Sequence, residues 1–401
     1  MVQRRVALTV YQPAKAGVRS FAILAAFEAA SRAVLISVYP VLMYRSLGDA
    51  KAVSEYYVLI GLASLAVALC SPMMNRLVPR RWLYTVGCLG MALGGLIGLL
   101  GGLPLVPVAV LMTAASLVVM TVCFNAYVMD YIERNSMGKN ETMRLLFSGA
   151  AWSIGPFFGV WLMDKQPALP FIASIVLVLC GLAYFWYLRL GNGKVITRAR
   201  RPATNPLVYL PRFFRQPSLV TGWLFAVIRS VGWGIYIIYV PIFAVESGLS
   251  NQLGGLTLSI SNAFLFLAPF MLRFLQMTSV RIALTAAFSA CSVLFFAAFL
   301  LSGVPQTAIA VLLAATLFLV MLDVAGGLPF LLTVKPSERT EMAAVYSTFR
   351  DVSAVISPAF ARLVLVFAPV AGVFAAGGAA LFVCALIARS LHPRLGRKRS
   401  Q

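Results

Sequence analysis

The chain has 401 residues, 61% of them apolar and only 11% charged, with a mean hydropathy of +0.90. A soluble domain carries roughly 45–50% apolar and about 25% charged residues, so this composition excludes a water-soluble globule and describes an all-α integral membrane protein. Thirty-three Lys and Arg against 12 Asp and Glu leave a net charge of +21, which in a soluble protein would point to nucleic acid; the placement of the charges excludes that partner here.

A helix crossing the roughly 30 Å hydrocarbon core needs about 20 apolar residues. In chain order the sequence predicts twelve such spans, at 21–44, 54–74, 82–103, 105–129, 145–163, 168–189, 218–244, 252–275, 281–302, 305–333, 345–367 and 369–390. Span 1 is too long for a cleaved signal core and contains Glu28 and Arg32, so it is expected to be retained. Spans 3–4, 9–10 and 11–12 are joined by very short connections and read as hairpins. Between spans 6 and 7 lies a basic stretch with Pro202, Pro206 and Pro211. It divides the chain into a six-helix bundle (1–190), a linker (191–217) and a second bundle with a basic tail (218–401). The end of the linker, 205–216, mixes apolar residues with Arg212 and Arg215 and is expected to lie along the membrane surface.

Twenty-six of the 33 Lys and Arg fall in the connections and termini of one side, and three (Arg45, Lys51, Lys165) on the other. Positive residues stay in the cytoplasm. The expected protein is therefore a multi-pass protein of the cell membrane, the inner membrane in a Gram-negative cell, with both termini and the linker cytoplasmic. The basic patches are topology signals first and contacts to membrane lipids second. The six cysteines lie singly in apolar runs, without a Cys-x-x-Cys pair, and the one histidine, His392, is in the C-terminal tail. Neither a metal nor a redox site has residues to rest on, and no cofactor, nucleotide-binding loop or catalytic nucleophile is apparent. The reading is a non-enzyme, a monomer, driven by an ion gradient or by its substrate's own gradient.

The halves repeat. Ser71-Pro72-Met73-Met74-Asn75-Arg76 and Ala268-Pro269-Phe270-Met271-Leu272-Arg273 match in Pro, Met and Arg at an offset of 197. Glu141-Thr142-Met143 faces Thr340-Glu341-Met342, and Gly155-Pro156-Phe157-Phe158-Gly159 faces Ser357-Pro358-Ala359-Phe360-Ala361, at offsets of 199 and 202. Parallel six-helix repeats with a mid-depth site between them are a transporter architecture.

On these residues the chain resembles the major facilitator superfamily, whose 2–3 loop signature runs roughly G-x-x-x-D-[RK]-x-G-R-[RK]. Here Arg76, Arg80 and Arg81 keep the basic positions, Asn75 replaces the acid and both glycines are lost. The resemblance implies two pseudo-symmetric bundles and a cytoplasmic gate at Asn75, Arg76 and Arg80, with Asp130 and Arg134 at the end of span 4 as its contacts. Gly149, Gly155, Pro156 and Gly159 in span 5 resemble an exporter motif that ends G-P-x-x-G-G, with Val160 in place of the last glycine. The resemblance also implies that spans 1, 4, 7 and 10 line a central cavity.

Ionisable residues inside spans cost at least about 2.5–3.5 kcal/mol at a helix centre and so mark candidate chemistry. Three acids are in this position: Glu28, Asp323 and Asp351. Glu28 and Arg32 share one face of span 1, roughly 10–18 Å from its cytoplasmic end. Arg229 of span 7 and Asp323 of span 10 reach similar depth and are expected to pair, with Asn125 of span 4 near the same level. A carboxylate that alternates between an arginine and an apolar surround changes its hold on a proton, which makes Glu28, Asp323 and Asp351 candidate proton carriers. Arg32, Asn125, Arg229, Trp233 and Tyr236 are candidate substrate contacts, Trp233 standing between Gly232 and Gly234. Gly90, Gly94, Gly98 and Gly102 read as a packing ladder in span 3.

The sequence thus predicts a secondary transporter that exchanges protons for a small amphipathic or aromatic compound, in the direction of export. The alternatives are proton-coupled uptake of a vitamin or other planar metabolite, lysolipid movement between leaflets, and a non-transporting assembly factor on the same fold.

Overall fold

The computed structural model describes residues 17–132, 137–188, 206–334 and 339–392. Span 1 is built of α1 (Val18–Ile36) and α2 (Val38–Leu47), span 2 of α3 (Ala50–Leu77), span 3 of α4 (Arg80–Leu100), span 4 of α5 (Val106–Tyr131), span 5 of α6 (Met137–Lys165) and span 6 of α7 (Leu169–Tyr187). A short helix, α8 (Pro206–Phe214), precedes span 7, α9 (Pro217–Glu246). Span 8 comprises α10 (Asn251–Ala263) and α11 (Ala268–Met277), and span 9 is α12 (Val280–Leu300). Span 10 comprises α13 (Pro305–Ala325) and α14 (Leu328–Thr333), span 11 α15 (Arg339–Tyr346) and α16 (Phe349–Val364), and span 12 is α17 (Val370–Arg389). The face from which span 1 enters carries most of the lysines and arginines and is called the basic face below; the opposite face is the far face.

Among the described residues eleven stretches are long and apolar enough to cross a membrane. Span 11 departs from its expected single helix at 345–367: it breaks at Ser347 and Thr348, where the Thr348 hydroxyl donates to the Val345 carbonyl (2.7 Å), and its longer piece has 16 residues. Span 5 starts eight residues before the apolar run, because its first two turns are polar helix that hydropathy does not mark.

Three other breaks have a common cause. Proline has no amide hydrogen, and its ring excludes the carbonyl four residues earlier. Pro40 stands four residues after Ile36, where α1 ends; Pro329 stands four residues after Ala325, where α13 ends. Pro269 stands four residues after Leu265, inside the 3-10 turn Phe264–Leu267 that splits span 8. Pro156 leaves span 5 continuous, but the Phe157 amide after it donates across the halves to the Ser259 hydroxyl (2.9 Å).

The two halves turn alike at the far face. Spans 1 and 7 run into glycines with left-handed backbone, Gly48 (φ 73°) and Gly248 (φ 71°). Spans 2 and 8 then start on capping side chains: Asp49 accepts from the Lys51 amide (3.1 Å) and Ser250 from the Gln252 amide (3.2 Å). Small residues allow the spans to pack closely. Gly94 and Gly98 of the span 3 ladder face Thr113 and Phe171, whereas Gly102 (φ 60°) forms the turn after the span. Gly155 and Gly159 press span 5 onto Ala33 and Val34 of span 1. The α8 helix does not simply lie on a lipid surface: Phe213 is fully buried in a small core with Leu219, Phe330, Met342 and Val345.

The halves meet through span 2 against span 11 and span 5 against span 8. A Cβ on Gly61 would stand 2.8 Å from the Ala354 carbonyl oxygen, and one on Gly255 2.8 Å from that of Pro156. Toward the far face the seam is polar. Arg45 donates to Asn251 Oδ1 (3.1 Å), whose amide donates to Asp164 (3.0 Å); Arg362 pairs with Glu55 (2.7 Å); and the Ser54 and Tyr239 hydroxyls lie 2.6 Å apart.

Two outcomes follow from this packing. Gly159→Ala drives a methyl group into backbone of span 1 and is expected to cost about 1–3 kcal/mol. Its thermal unfolding in detergent is expected below that of wild type, while Gly149→Ala, whose Cβ would meet only the Phe266 ring at 3.6 Å, is expected to be neutral; equal unfolding of the two would contradict the packing. An exposed ion pair contributes about 0–1 kcal/mol, and an exposed hydrogen-bonded side chain a similar amount, so Glu55→Gln with Asn251→Ala is expected to loosen far-face closure up to about 30-fold. The readout is impermeant-maleimide labelling at Ala50→Cys, a position 4% exposed, above the background of the native cysteines. It rises if these contacts hold the face shut.

Candidate functional site

Spans 1, 4, 5, 7, 8 and 10 enclose a cavity of about 490 Å³ between the halves. It extends from Arg144 and Leu145, at the basic end of span 5, inward to Ile36, Ile237 and Leu258. Most of its wall is apolar; the polar groups are few and come from both halves, as in a small-molecule site.

In the first half, Glu28 and Arg32 lie one helical turn apart, yet no ion pair within 4 Å joins them among the described residues. Glu28 Oε1 accepts from the Thr121 hydroxyl of span 4 (3.2 Å). The Arg32 guanidinium lies over the Trp152 ring of span 5, 5.2 Å from its centroid, a cation–π contact that cushions the charge. Arg144 is paired with Glu141 (2.7 Å).

In the second half the expected pair is present. Arg229 Nε lies 3.0 Å from Asp323 Oδ1, although the N–H is not aimed along the contact and makes no directional hydrogen bond. Asp323 Oδ2 accepts from the Trp233 indole (2.9 Å). Arg229 also lies over the Phe349 ring (5.2 Å), as Arg350 does from the next position (5.6 Å). The Arg229 side chain is 12% exposed and that of Asp323 33%: the carboxylate forms the cavity wall and the arginine stands behind it.

The cavity therefore brings together Glu28, Arg32, Asn125, Gly149, Trp233 and Asp323. Tyr236 is placed differently. It is 1% exposed, its hydroxyl donates to the Thr257 carbonyl (3.1 Å), and its ring packs edge-on to Trp233; it is not among the residues that line the cavity, so this tyrosine packs rather than lines. Asp351 lies in the first turn of α16, outside the cavity, where an acid complements the helix dipole. Gly155, Pro156 and Gly159 serve the packing of span 5 rather than the wall. At the basic face Arg80 pairs with Asp130 and lies over Tyr127, which ties span 3 to span 4 inside one half. Asn75 and Arg76 end span 2, their side chains outside the described residues, as is Arg134 altogether. Thr121, Ser148 and Asn262 also line the cavity. Asn262, an amide in the middle of apolar span 8, was the one of these with a signal in the sequence; Thr121 and Ser148 resemble ordinary small packing residues.

The model of the Major Facilitator Superfamily matches residues 21–334 of the chain. No curated protein sequence matches it. Among solved structures it is similar to a peptide transporter in complex with sulfate (14% identity, 95% of each chain covered, TM-score 0.75) and to the nucleoside transporter NupG (12% identity, 92% of this chain and 98% of that one, TM-score 0.70). It is also similar to a D-xylose-proton symporter (12% identity, 95% and 98% covered, TM-score 0.69). At such identities the likeness is one of fold. With the family matched over most of its length and the cavity enclosed between two six-span halves, the chain belongs to the Major Facilitator Superfamily and is a transporter, not an enzyme.

Proposed function

We propose that the protein moves a small, planar, charged organic compound through the central cavity by alternating access, coupled to protons. The observation that carries this reading is the constellation in the cavity wall: Glu28 with a single hydroxyl donor, Arg32 cushioned on an indole, and Asp323 shared between Arg229 and Trp233. Trp152 and Trp233 supply faces for a ring, and Asn125 and Asn262 supply directional hydrogen bonds. In this reading the basic face is cytoplasmic in the cell membrane (the inner membrane of a Gram-negative cell), because Lys and Arg are retained there. The far-face contacts then make this the inward-open state, and Arg80 with Asp130 belongs to the cytoplasmic gate.

The coupling follows from charge. A proton on Asp323 removes the partner of Arg229, and a proton on Glu28 leaves Arg32 as the local charge. A cationic substrate competes with these protons for the carboxylates, and the result is exchange and export, the direction that the span 5 motif favours. An anionic substrate at Arg32 instead shares the cavity with a proton on Glu28, since each offsets the charge that the other leaves, and the result is cotransport and uptake. Arg32, over the Trp152 ring and with no ion pair within 4 Å to Glu28, favours this second reading.

Both are tested in liposomes with an internal pH dye, using pooled amines, carboxylates and zwitterions of aromatic compounds. An amine that moves protons against its own direction supports export by exchange; a carboxylate that moves with protons supports uptake. Asp323→Asn and Glu28→Gln are expected to abolish proton movement; exchange of a carboxylate substrate between equal pools persists, whereas exchange of an amine, which needs the carboxylates, falls with it. Proton movement unchanged in both variants, or no transport of any member of the pool, contradicts the proposal.

A further inference from the structure

The carboxylate of Asp323 has two neighbours that are held in different ways. The Trp233 indole donates to it along a directed hydrogen bond of 2.9 Å. Arg229 Nε lies 3.0 Å from the other oxygen but does not aim its N–H along the contact. Attraction thus draws this arginine to the acid without setting the plane of its guanidinium. That plane is met by Phe349, over whose ring the guanidinium lies, 5.2 Å from the centroid. Room for it comes from Gly326, where a Cβ would stand 3.3 Å from Arg229 Nη1.

Phe349 is itself fixed. It opens α16, directly after the break of span 11, and is 8% exposed. The break is tied to span 7 by the Trp223 indole, which donates to the Thr348 hydroxyl (3.3 Å). Beside the Phe349 ring stands Tyr346 (5.4 Å between centroids), which is stacked on Phe330 of α14 (4.2 Å, 16° between planes). Phe330 in turn meets the buried Phe213 of α8 (6.5 Å). A row of four rings therefore runs from the linker helix to Arg229, through α14 and α15, the short basic-face pieces of spans 10 and 11. A ring backed in this way is held in place, and a cation over its face is attracted to it. The exposed Arg350 lies over the same ring (5.6 Å), so Arg229 is not its sole cation.

We propose that Phe349 is a positioning residue for the proton step: its ring, backed by Tyr346 and Phe330, holds Arg229 against Asp323, so that span 11 answers when this acid gains or loses its proton. The inference rests on the reading of Asp323 as a proton carrier, and it names the residue through which that acid reaches the broken ends of spans 10 and 11. When a proton neutralises Asp323, Arg229 loses its acid and keeps the ring, and its charge is left on span 11.

The first arm of the test needs no substrate. Unfolding of the purified full chain by dodecyl sulfate in mixed micelles is measured for Phe349→Leu, Asp323→Asn and the pair, with Arg229 present and with Arg229→Gln. Phe349 and Asp323 both contact Arg229, so the two substitutions are expected to be coupled by about fivefold in the unfolding equilibrium, the size of one cation–π contact. The coupling is expected to vanish in Arg229→Gln, and Phe349→Tyr, which keeps the ring, to unfold like wild type. The second arm uses liposomes with an internal pH dye and the pooled aromatic amines, carboxylates and zwitterions. There Phe349→Leu is expected to move about fivefold fewer protons per substrate while exchange of a carboxylate between equal pools persists, and Phe349→Tyr to restore the wild-type ratio. A residue that only packs lowers both movements together and leaves the ratio alone. Additive unfolding effects, coupling that survives without Arg229, or an unchanged ratio in Phe349→Leu overturns the proposal. No transport by wild type contradicts the carrier reading and the proton step with it; the first arm then still separates a ring that holds Arg229 from one that only packs.

Discussion

Charge inside hydrocarbon is the constraint on which the rest of this protein depends. Glu28, Arg32, Arg229 and Asp323 stand at mid-depth in an otherwise apolar bundle, and each is costly there unless a partner or water meets it. The fold answers differently in its two halves. The second half closes its charges on one another, Arg229 against Asp323 with the Trp233 indole on the remaining oxygen. The first half keeps Glu28 and Arg32 apart, on a hydroxyl and on an indole face. Glu28, Arg32 and Asp323 border a cavity rather than lipid, and Arg229 stands behind Asp323 as its partner. The cavity therefore has to lie on the seam between the halves, and any change of partner among the four is felt on both sides of it.

The seam is built from backbone devices that the duplication repeats. Left-handed glycines at 48 and 248 end the first span of each half, and capping side chains start the next. Glycines at 61 and 255 bring backbones together across the seam, and glycines at 155 and 159 do so within the first half. Pro40, Pro269 and Pro329 interrupt spans 1, 8 and 10, all of which border the cavity. Under the proposed alternating access, the close contacts at the edges would pivot and the interrupted segments would absorb the change.

Much of this was legible in the sequence, and the reasons are physical. Hydropathy and length find a span wherever about 20 apolar residues are needed, so twelve spans, two halves and the four buried charges could be read directly. The pairing of Arg229 with Asp323 followed from depth alone. The break in span 11 could not be read, because it has no proline at Ser347 and Thr348 to mark it. The placement of Tyr236 behind Trp233 depends on rotation of span 7, which a helix apolar on every side does not reveal. Phe213 looked like a lipid-facing residue because its partners, Phe330 and Met342, are more than 100 positions away. Thr121 and Ser148 escape for a different cause: small hydroxyl residues are common in spans, and only their neighbours distinguish a wall from a packing contact.

The central claim is that the protonation state of the cavity acids sets which face is open. Spin-label distances across the seam in lipid nanodiscs test it most directly, with one label pair at Leu77 and Met277 on the basic face, both largely exposed, and another at Lys51 and Gln252 on the far face. Asp323→Asn, which imitates the protonated acid, is expected to shift the two distances in opposite directions, the basic face closing as the far face opens. Distances that stay unchanged, or that move together, would mean that the charges hold the bundle together without switching it.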